Sequence, residues 1–433
     1  LPCLGPAPRA PPSLPLPCRS LRVAGPCLPG PASAREDRAM PRSRQDAGCL
    51  PACRAAAEAQ RDALLPLFGA SDLARSVLGR LQEEGYAVLP GVLSRSEADQ
   101  ELDRMWSFVE AVSPTVSRRV PRSWHRQGGG GPDPWPHAQR DMMQLHQAGW
   151  VFGGLRETLA ERVFEPLYGT RELHCSKDGF TFQRPTREQL STTPNDHFDQ
   201  GSTLLGLQCV QGSVALTDQD ENDGCFLCWP GSHEYRERIL ASKGQKGARD
   251  FVILTDADKD VLRAAGIAPR RVPVCKGDVI LFRSDLCHCG ASPIGARPGF
   301  RAVVYVCCLP ASLTPESTYP EKLRAYEQLE TGSHWPTREE WFVAQRRHEA
   351  LAVRPFFRAP PELTVRQQEL YGLQRYEQAP RAPLSVATPA KAKRRWQRPR
   401  ALAGQAGKPA AGAEPPELEP GGAASAGRLG AAR

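Results

Sequence analysis

Asn195-Asp196-His197-Phe198-Asp199-Gln200, together with the later run KGDVILFRSDLCHCGASPIGARPGFR at 276–301, is the stretch whose reading decides the fold. On an extended strand, residues i and i+2 project to the same side, so His197 and Asp199 reach one point while Phe198 faces away. His288 supplies a second imidazole from a distant segment, as expected where strands far apart in sequence lie side by side. Two imidazoles and one carboxylate occupy one face of a ferrous ion and leave its other positions open, the donor set of non-haem Fe(II) oxygenases. Arg301 lies just beyond His288, where a guanidinium suits the two-pronged grip of a carboxylate.

The chain has 433 residues, 40% hydrophobic and 24% charged, enough apolar content for a substantial core. No run approaches the roughly 18 consecutive apolar residues of a membrane helix. The formal charge of +8 belongs to the ends. From Arg381 to Arg433 there are ten Lys/Arg against three Glu, a net of +7, and residues 1–60 carry eight Arg against four acids, a net of +4. That leaves −3 for residues 61–380, so nucleic-acid binding by the folded part has no electrostatic support. The chain has 14 cysteines. The opening residues show no apolar segment behind a basic one, so buried free thiols in a reducing compartment are expected rather than disulfides. Met40 is the first methionine, and residues 1–39 read as an untranslated or targeting leader. The expected location is the cytoplasm. Organellar targeting is the alternative suggested by abundant Arg and Ala, although the many prolines oppose an amphipathic helix.

Three segments are expected: a Pro/Ala/Arg-rich disordered leader over 1–65, a folded domain over 66–355, and a helical extension with a disordered basic tail over 356–433. Within the domain, Leu73, Val77 and Leu81 recur at helical spacing, and Gly85 ends that helix. A short strand and turn follow at 86–91. Ser94 and Glu97 form a capping-box pattern that opens a helix with an apolar stripe of Ala98, Leu102, Trp106 and Val109. Residues 113–140 read as a long loop and 153–166 as a helix. Strands are expected at 179–184, 204–216, 225–229, 279–282 and 300–309, with hairpin-type turn chemistry at 218–224 (DQDENDG) and 230–232. Residues 311–350 read as helical. Helices followed by many short strands point to an α+β fold with a sandwich or barrel as its main body.

Blocks distributed over about 73–345 resemble the phytanoyl-CoA dioxygenase family of Fe(II)/2-oxoglutarate oxygenases. They are 81–94 (LQEEGYAVLPGVLS), 195–200 (NDHFDQ), 215–233 (ALTDQDENDGCFLCWPGSH) and 276–301, and 326–336 (YEQLETGSHWP) resembles a subgroup. The resemblance implies a double-stranded β-helix, the jelly-roll or cupin-like barrel, flanked by N-terminal and C-terminal helices. It implies that His197, Asp199 and His288 bind iron and that Arg301 holds 2-oxoglutarate, with Arg297 as the competitor for that role. The implied activity uses O2, with ascorbate as activator, to hydroxylate a small organic substrate while releasing succinate and CO2. The retained Asp199 argues for hydroxylation over halogenation. The rival reading is a non-catalytic jelly-roll binding protein that kept the metal site.

Other motifs carry less. Cys225 and Cys228 fall on opposite faces of a strand and read as core thiols, not half a zinc site. Strand alternation turns Cys287 and Cys289 away from the His288 side. His233 reads as a turn residue, and His146 and His174 lack a partner pattern. Trp124, Trp135 and Trp150 suit either a substrate mouth or packing. The run at 391–400 (KAKRRWQRPR) reads as a solvated tail, with polyanion binding or nuclear targeting as the sharper alternative.

Overall fold

Among the described residues, twelve strands build two antiparallel sheets, and the chain steps repeatedly from one to the other. The structure, a computed structural model, describes residues 61–126, 133–136, 141–143, 152–185, 195–243, 251–330, 332–338 and 360–376. One unit runs to Tyr376. The readings of disorder for 1–60 and of a basic tail for 380–433 lie outside the described residues, as do His146 and Trp150. The described chain begins at Arg61, inside the leader as bounded from sequence, and Leu64 there is fully buried.

The strands are β1 Tyr86–Leu89, β2 Met142–Met143, β3 Leu173–Cys175, β4 Phe180–Gln183, β5 His197–Phe198, β6 Val210–Ala215, β7 Cys225–Cys228, β8 Val252–Ile253, β9 Arg270–Val272, β10 Val279–Arg283, β11 His288–Ala291 and β12 Arg301–Pro310. The larger sheet has the order β1-β10-β6-β12-β4-β2, with β3 also paired to β12, and the smaller has the order β8-β5-β11-β7-β9. One expectation changes here. The 218–224 turn does not close a hairpin, because β6 and β7 belong to different sheets, so it carries the chain across from one to the other.

The helices begin where their caps say. Ser71 accepts from the Ala74 amide and opens the helix Asp72–Glu83. Gly85, at φ +84°, takes the left-handed conformation that ends it at little cost. Ser94 and Glu97 form the reciprocal capping box of Arg95–Val112, a feature generally worth about 1 kcal/mol. The helical segment from Gly153 to Tyr168 contains a single wide π turn, Ala160–Phe164. In the region expected to be helical from 311, the described helices are the short turn Ala311–Leu313 and Thr318–Glu327.

Burial sorts the strand faces. Phe180, Phe182, Ala302, Val304, Val306 and Leu281 of the larger sheet pack in the main core with the long helices. Phe198 of the smaller sheet and Cys287, just ahead of β11, pack outward with Trp229, Ile239 and Leu262. Between the sheets lie Tyr86, Ile280 and Phe282 from one side and Phe226, Cys228 and Val272 from the other. Trp106 contacts Trp124, Trp135, Phe182 and Phe300, with ring centroids between 4.8 and 5.8 Å, so Trp124 and Trp135 are packing residues. No helix among the described residues is long and apolar enough to cross a membrane.

Candidate metal centre

A single row crosses the smaller sheet: Ile253, His197, His288, Cys228 and Arg270 stand directly opposite one another on five adjacent strands. Opposed residues of neighbouring strands project on the same face. That face looks toward the larger sheet, because the His288 ring lies 4.6 Å from Phe282 and 5.5 Å from Phe226. The period-2 reading therefore holds: Phe198 turns to the outer core and His197 inward.

Asp199 follows directly after β5 and closes the group. Its carboxylate oxygens stand 3.2 Å from His197 Nε2 and 3.3 Å from His288 Nε2. One donor atom from each of the three residues falls within 4.8 Å of the others, and these three are the group of metal-ligating type found among the described residues. Each imidazole is oriented by its other nitrogen. His197 Nδ1 is 2.5 Å from the Asn195 carbonyl, and His288 Nδ1 is 3.0 Å from the Leu286 carbonyl. A carbonyl only accepts, so both Nδ1 atoms carry a proton, and it is the Nε2 atom of each neutral ring that offers its lone pair to a metal. Burial disfavours charge on Asp199, yet the His197, His334 and His288 imidazoles outweigh it and hold the carboxyl well below its usual range. Burial likewise opposes charge on His197, and Asp199 reverses that and raises its pKa.

Arg301 opens β12, opposite Gln183 of β4, and is buried at 4% exposure. Its Nε has no hydrogen-bond partner. Gly290 lies two residues beyond His288, hence on the same face of β11, and a Cβ there would stand 3.5 Å from Arg301 Nη1. At Gly224 a Cβ would meet Gln183 Oε1 at 2.2 Å and Arg301 Cδ at 3.4 Å, so two positions without side chains flank the guanidinium. Arg297, the competitor, is exposed in the loop before β12.

Two residues at the site escaped the sequence reading. Gln211 of β6 donates from Nε2 to Asp199 Oδ2 at 3.1 Å. His334 lies 2.8 Å through Nε2 from the Asp199 main-chain carbonyl. The only signal for His334 was its place in the run 326–336, and Gln211 sat unmarked within an apolar strand.

The remaining candidates stand apart. Cys225 and Cys228 are buried free thiols, and burial raises the pKa of both. Cys287 packs in the outer core, and Cys289 alternates away from His288. His233 sits in the turn Ser232–Tyr235 with Nε2 3.2 Å from the Gln82 carbonyl. His174 is buried against Thr314, where burial lowers its pKa well below the usual value.

The family model described as phytanoyl-CoA dioxygenase matches residues 180–295. A curated relative, the Ava biosynthesis cluster protein O of Aspergillus versicolor, is 27% identical over 184 residues, which is 41% of this chain and 59% of that protein. Among solved structures, the non-heme alpha-ketoglutarate-dependent carbocyclase SnoK from nogalamycin biosynthesis matches at 20% identity, covering 55% of this chain and 84% of its own, with a TM-score of 0.36. EctD from S. alaskensis with bound Fe matches at 16% identity, covering 56% and 78%, with a TM-score of 0.37. HygX from Streptomyces hygroscopicus with nickel and 2-oxoglutarate bound matches at 20% identity, covering 55% and 87%, with a TM-score of 0.33. Across residues 180–295, the stretch that holds His197, Asp199 and His288, the chain is phytanoyl-CoA dioxygenase-like.

Proposed function

We propose that this chain is an Fe(II)- and 2-oxoglutarate-dependent dioxygenase that hydroxylates a small organic substrate, within a double-stranded β-helix flanked by helices over about 66–355. His197, Asp199 and His288 are its metal ligands, and Arg301 rather than Arg297 holds the far carboxylate of 2-oxoglutarate. The single observation that carries this reading is the convergence of two imidazole Nε2 atoms and an anionic carboxylate beside a buried guanidinium with an unpartnered Nε.

The residues fit the groups they would hold. Neighbouring ligands around a six-coordinate ion with bonds near 2.1 Å lie roughly 3 Å apart, close to the 3.2 and 3.3 Å between Asp199 and the two imidazoles. Two residues along a strand advance it by roughly 7 Å, so the notch at Gly290 puts Arg301 about one five-carbon dicarboxylate away from His288. Bound Fe(II), with 2-oxoglutarate and O2, would supply the oxidising power to break a C–H bond. The chain's own part is placement. The Asn195 and Leu286 carbonyls fix the imidazole tautomers, Asp199 offsets cation charge, and Arg301 orients the co-substrate. Phe226 and Phe282 pack around His288 and keep that side dry. The folded region's negative balance supports a small-molecule partner over a nucleic acid, and we place the reaction in the cytoplasm.

The test is release of succinate and CO2 from 2-oxoglutarate by the full chain with Fe(II), O2 and ascorbate, compared with His197→Ala. Consumption by the wild type and none by the variant supports the reading. Iron uptake without consumption of 2-oxoglutarate, whatever substrate is offered, favours the non-catalytic binding protein.

A further inference from the structure

The carboxylate at the centre of the site is tied from the far end of the chain. β5 stops at Phe198, so the Asp199 carbonyl lies beyond the ladder that holds His197. His334 reaches it through Nε2 at 2.8 Å. A carbonyl oxygen cannot donate, so this nitrogen carries the proton, and the bond fixes the Asp199 main chain without engaging its carboxylate.

His334 is itself firmly seated. The next residue, Trp335, is buried at 1% exposure, and its amide donates to Ser333 Oγ at 3.3 Å. The Gly332 amide donates to the Lys177 carbonyl at 3.4 Å, and Thr318 Oγ1 donates to the Thr337 carbonyl at 3.5 Å. Residues 332–338 thus form a strap attached on both sides of His334. From the opposite direction, Gln211 of the larger sheet holds Asp199 Oδ2. Asp199 is therefore gripped at its main chain by the strap and at its carboxylate by the large sheet, though it follows a strand of the small one.

We propose that His334 is a positioning residue for the metal centre, with Gln211 as its counterpart on the carboxylate. By fixing the main chain of Asp199, the strap keeps the carboxylate turned toward the two Nε2 atoms and sets the affinity of the site for a divalent cation. This rests on the metal-centre reading above. A merely structural tie would close the C-terminal segment and leave metal affinity alone.

Co(II) binding by the full chain separates the two, read by calorimetry and by the visible absorption of the bound ion, with metal-free melting recorded in parallel. His334→Phe keeps a ring beside Trp335 and removes the donor. It is expected to weaken Co(II) binding about 10- to 100-fold and to change the absorption, as loss of outer-shell partners generally does. His334→Gln returns an amide donor near the Nε2 position and should recover most of the affinity. Gln211→Leu removes the other tie and should also weaken binding. The inference is overturned if His334→Phe binds Co(II) like wild type, if His334→Gln is no better than His334→Phe, or if affinity merely follows the melting temperature. A wild type that takes up no Co(II), or a His197→Ala variant that binds it equally well, removes the metal-centre reading itself and this inference with it.

Discussion

Arg301 fills the notch that Gly290 leaves on the inner face of β11, its Nη1 3.5 Å from where a Cβ would stand. The guanidinium and the His288 imidazole thus share one face of one strand's surroundings although Arg301 belongs to the other sheet. Substitution of Arg301 or Gly290 should affect the co-substrate and spare the metal. Arg301→Gln is expected to weaken 2-oxoglutarate binding to the Co(II)-loaded protein about 10- to 100-fold, the scale of a lost charge-assisted pair of hydrogen bonds. Gly290→Leu should act in the same direction by crowding the guanidinium. Arg297→Gln should leave the constant within about twofold, since exposed charges contribute little. Calorimetric titration checks all three, and a stronger loss in Arg297→Gln would reassign the role.

Asp199→Ala should abolish stoichiometric Co(II) uptake, because two imidazoles alone leave a dication without an anionic ligand. The metal-free variant should melt no lower than wild type by more than a few degrees. Retained one-to-one binding in dialysis would remove Asp199 from the ligand set.

Trp106 lies at the hub of five aromatic rings, and its truncation to Ala should cost about 3–5 kcal/mol through the cavity it leaves. Denaturant melts of the two proteins decide this. A cost under about 1 kcal/mol would mean that the cluster is not the packed core its geometry describes.

Lys322 and Lys177 make stability depend on alkaline pH. Burial lowers both amines from 10.5 to about 7. Between pH 7 and about 8.5 these two amines leave the unfolded chain with more protons than the folded one, so stability rises with pH there; above it the thiols of Cys225, Cys228, Cys287, Cys307 and Cys308, raised by burial, pull the other way. Asp178, raised to about 7 by burial, has its opposing effect below this range. Lys322→Met should cut the rise by about half, leaving the share of Lys177, each pKa unit being worth about 1.4 kcal/mol. Melting temperatures at pH 7, 7.5, 8 and 8.5 provide the check, and an unchanged slope would remove Lys322 from the account.

What the sequence disclosed, and what it withheld, follows from how each feature is encoded. His197, Phe198 and Asp199 were legible because strand alternation sorts adjacent residues in or out without reference to the rest of the fold. Arg301 was legible from its place ahead of a long apolar strand. β8 contributes only two residues, too few for any period to register. The acidic turn at 218–224 announced a reversal without naming the strands it joins, so its passage between sheets appears only in three dimensions. His334 and Gln211 act on Asp199 through one hydrogen bond apiece, one of them to main chain, and such a bond leaves no pattern in composition or spacing.

The brevity of β5 carries a last consequence. A two-residue ladder is a weak attachment, so the edge formed by β5 and β8 should open by local fluctuation well before the larger sheet does. A cation bridging His197 to His288 would rivet that edge to β11 and stabilise the closed form by mass action. Amide exchange at 195–199 and 252–253 should then slow on loading far more than in β6 or β12, making this corner of the molecule a reporter of its own occupancy.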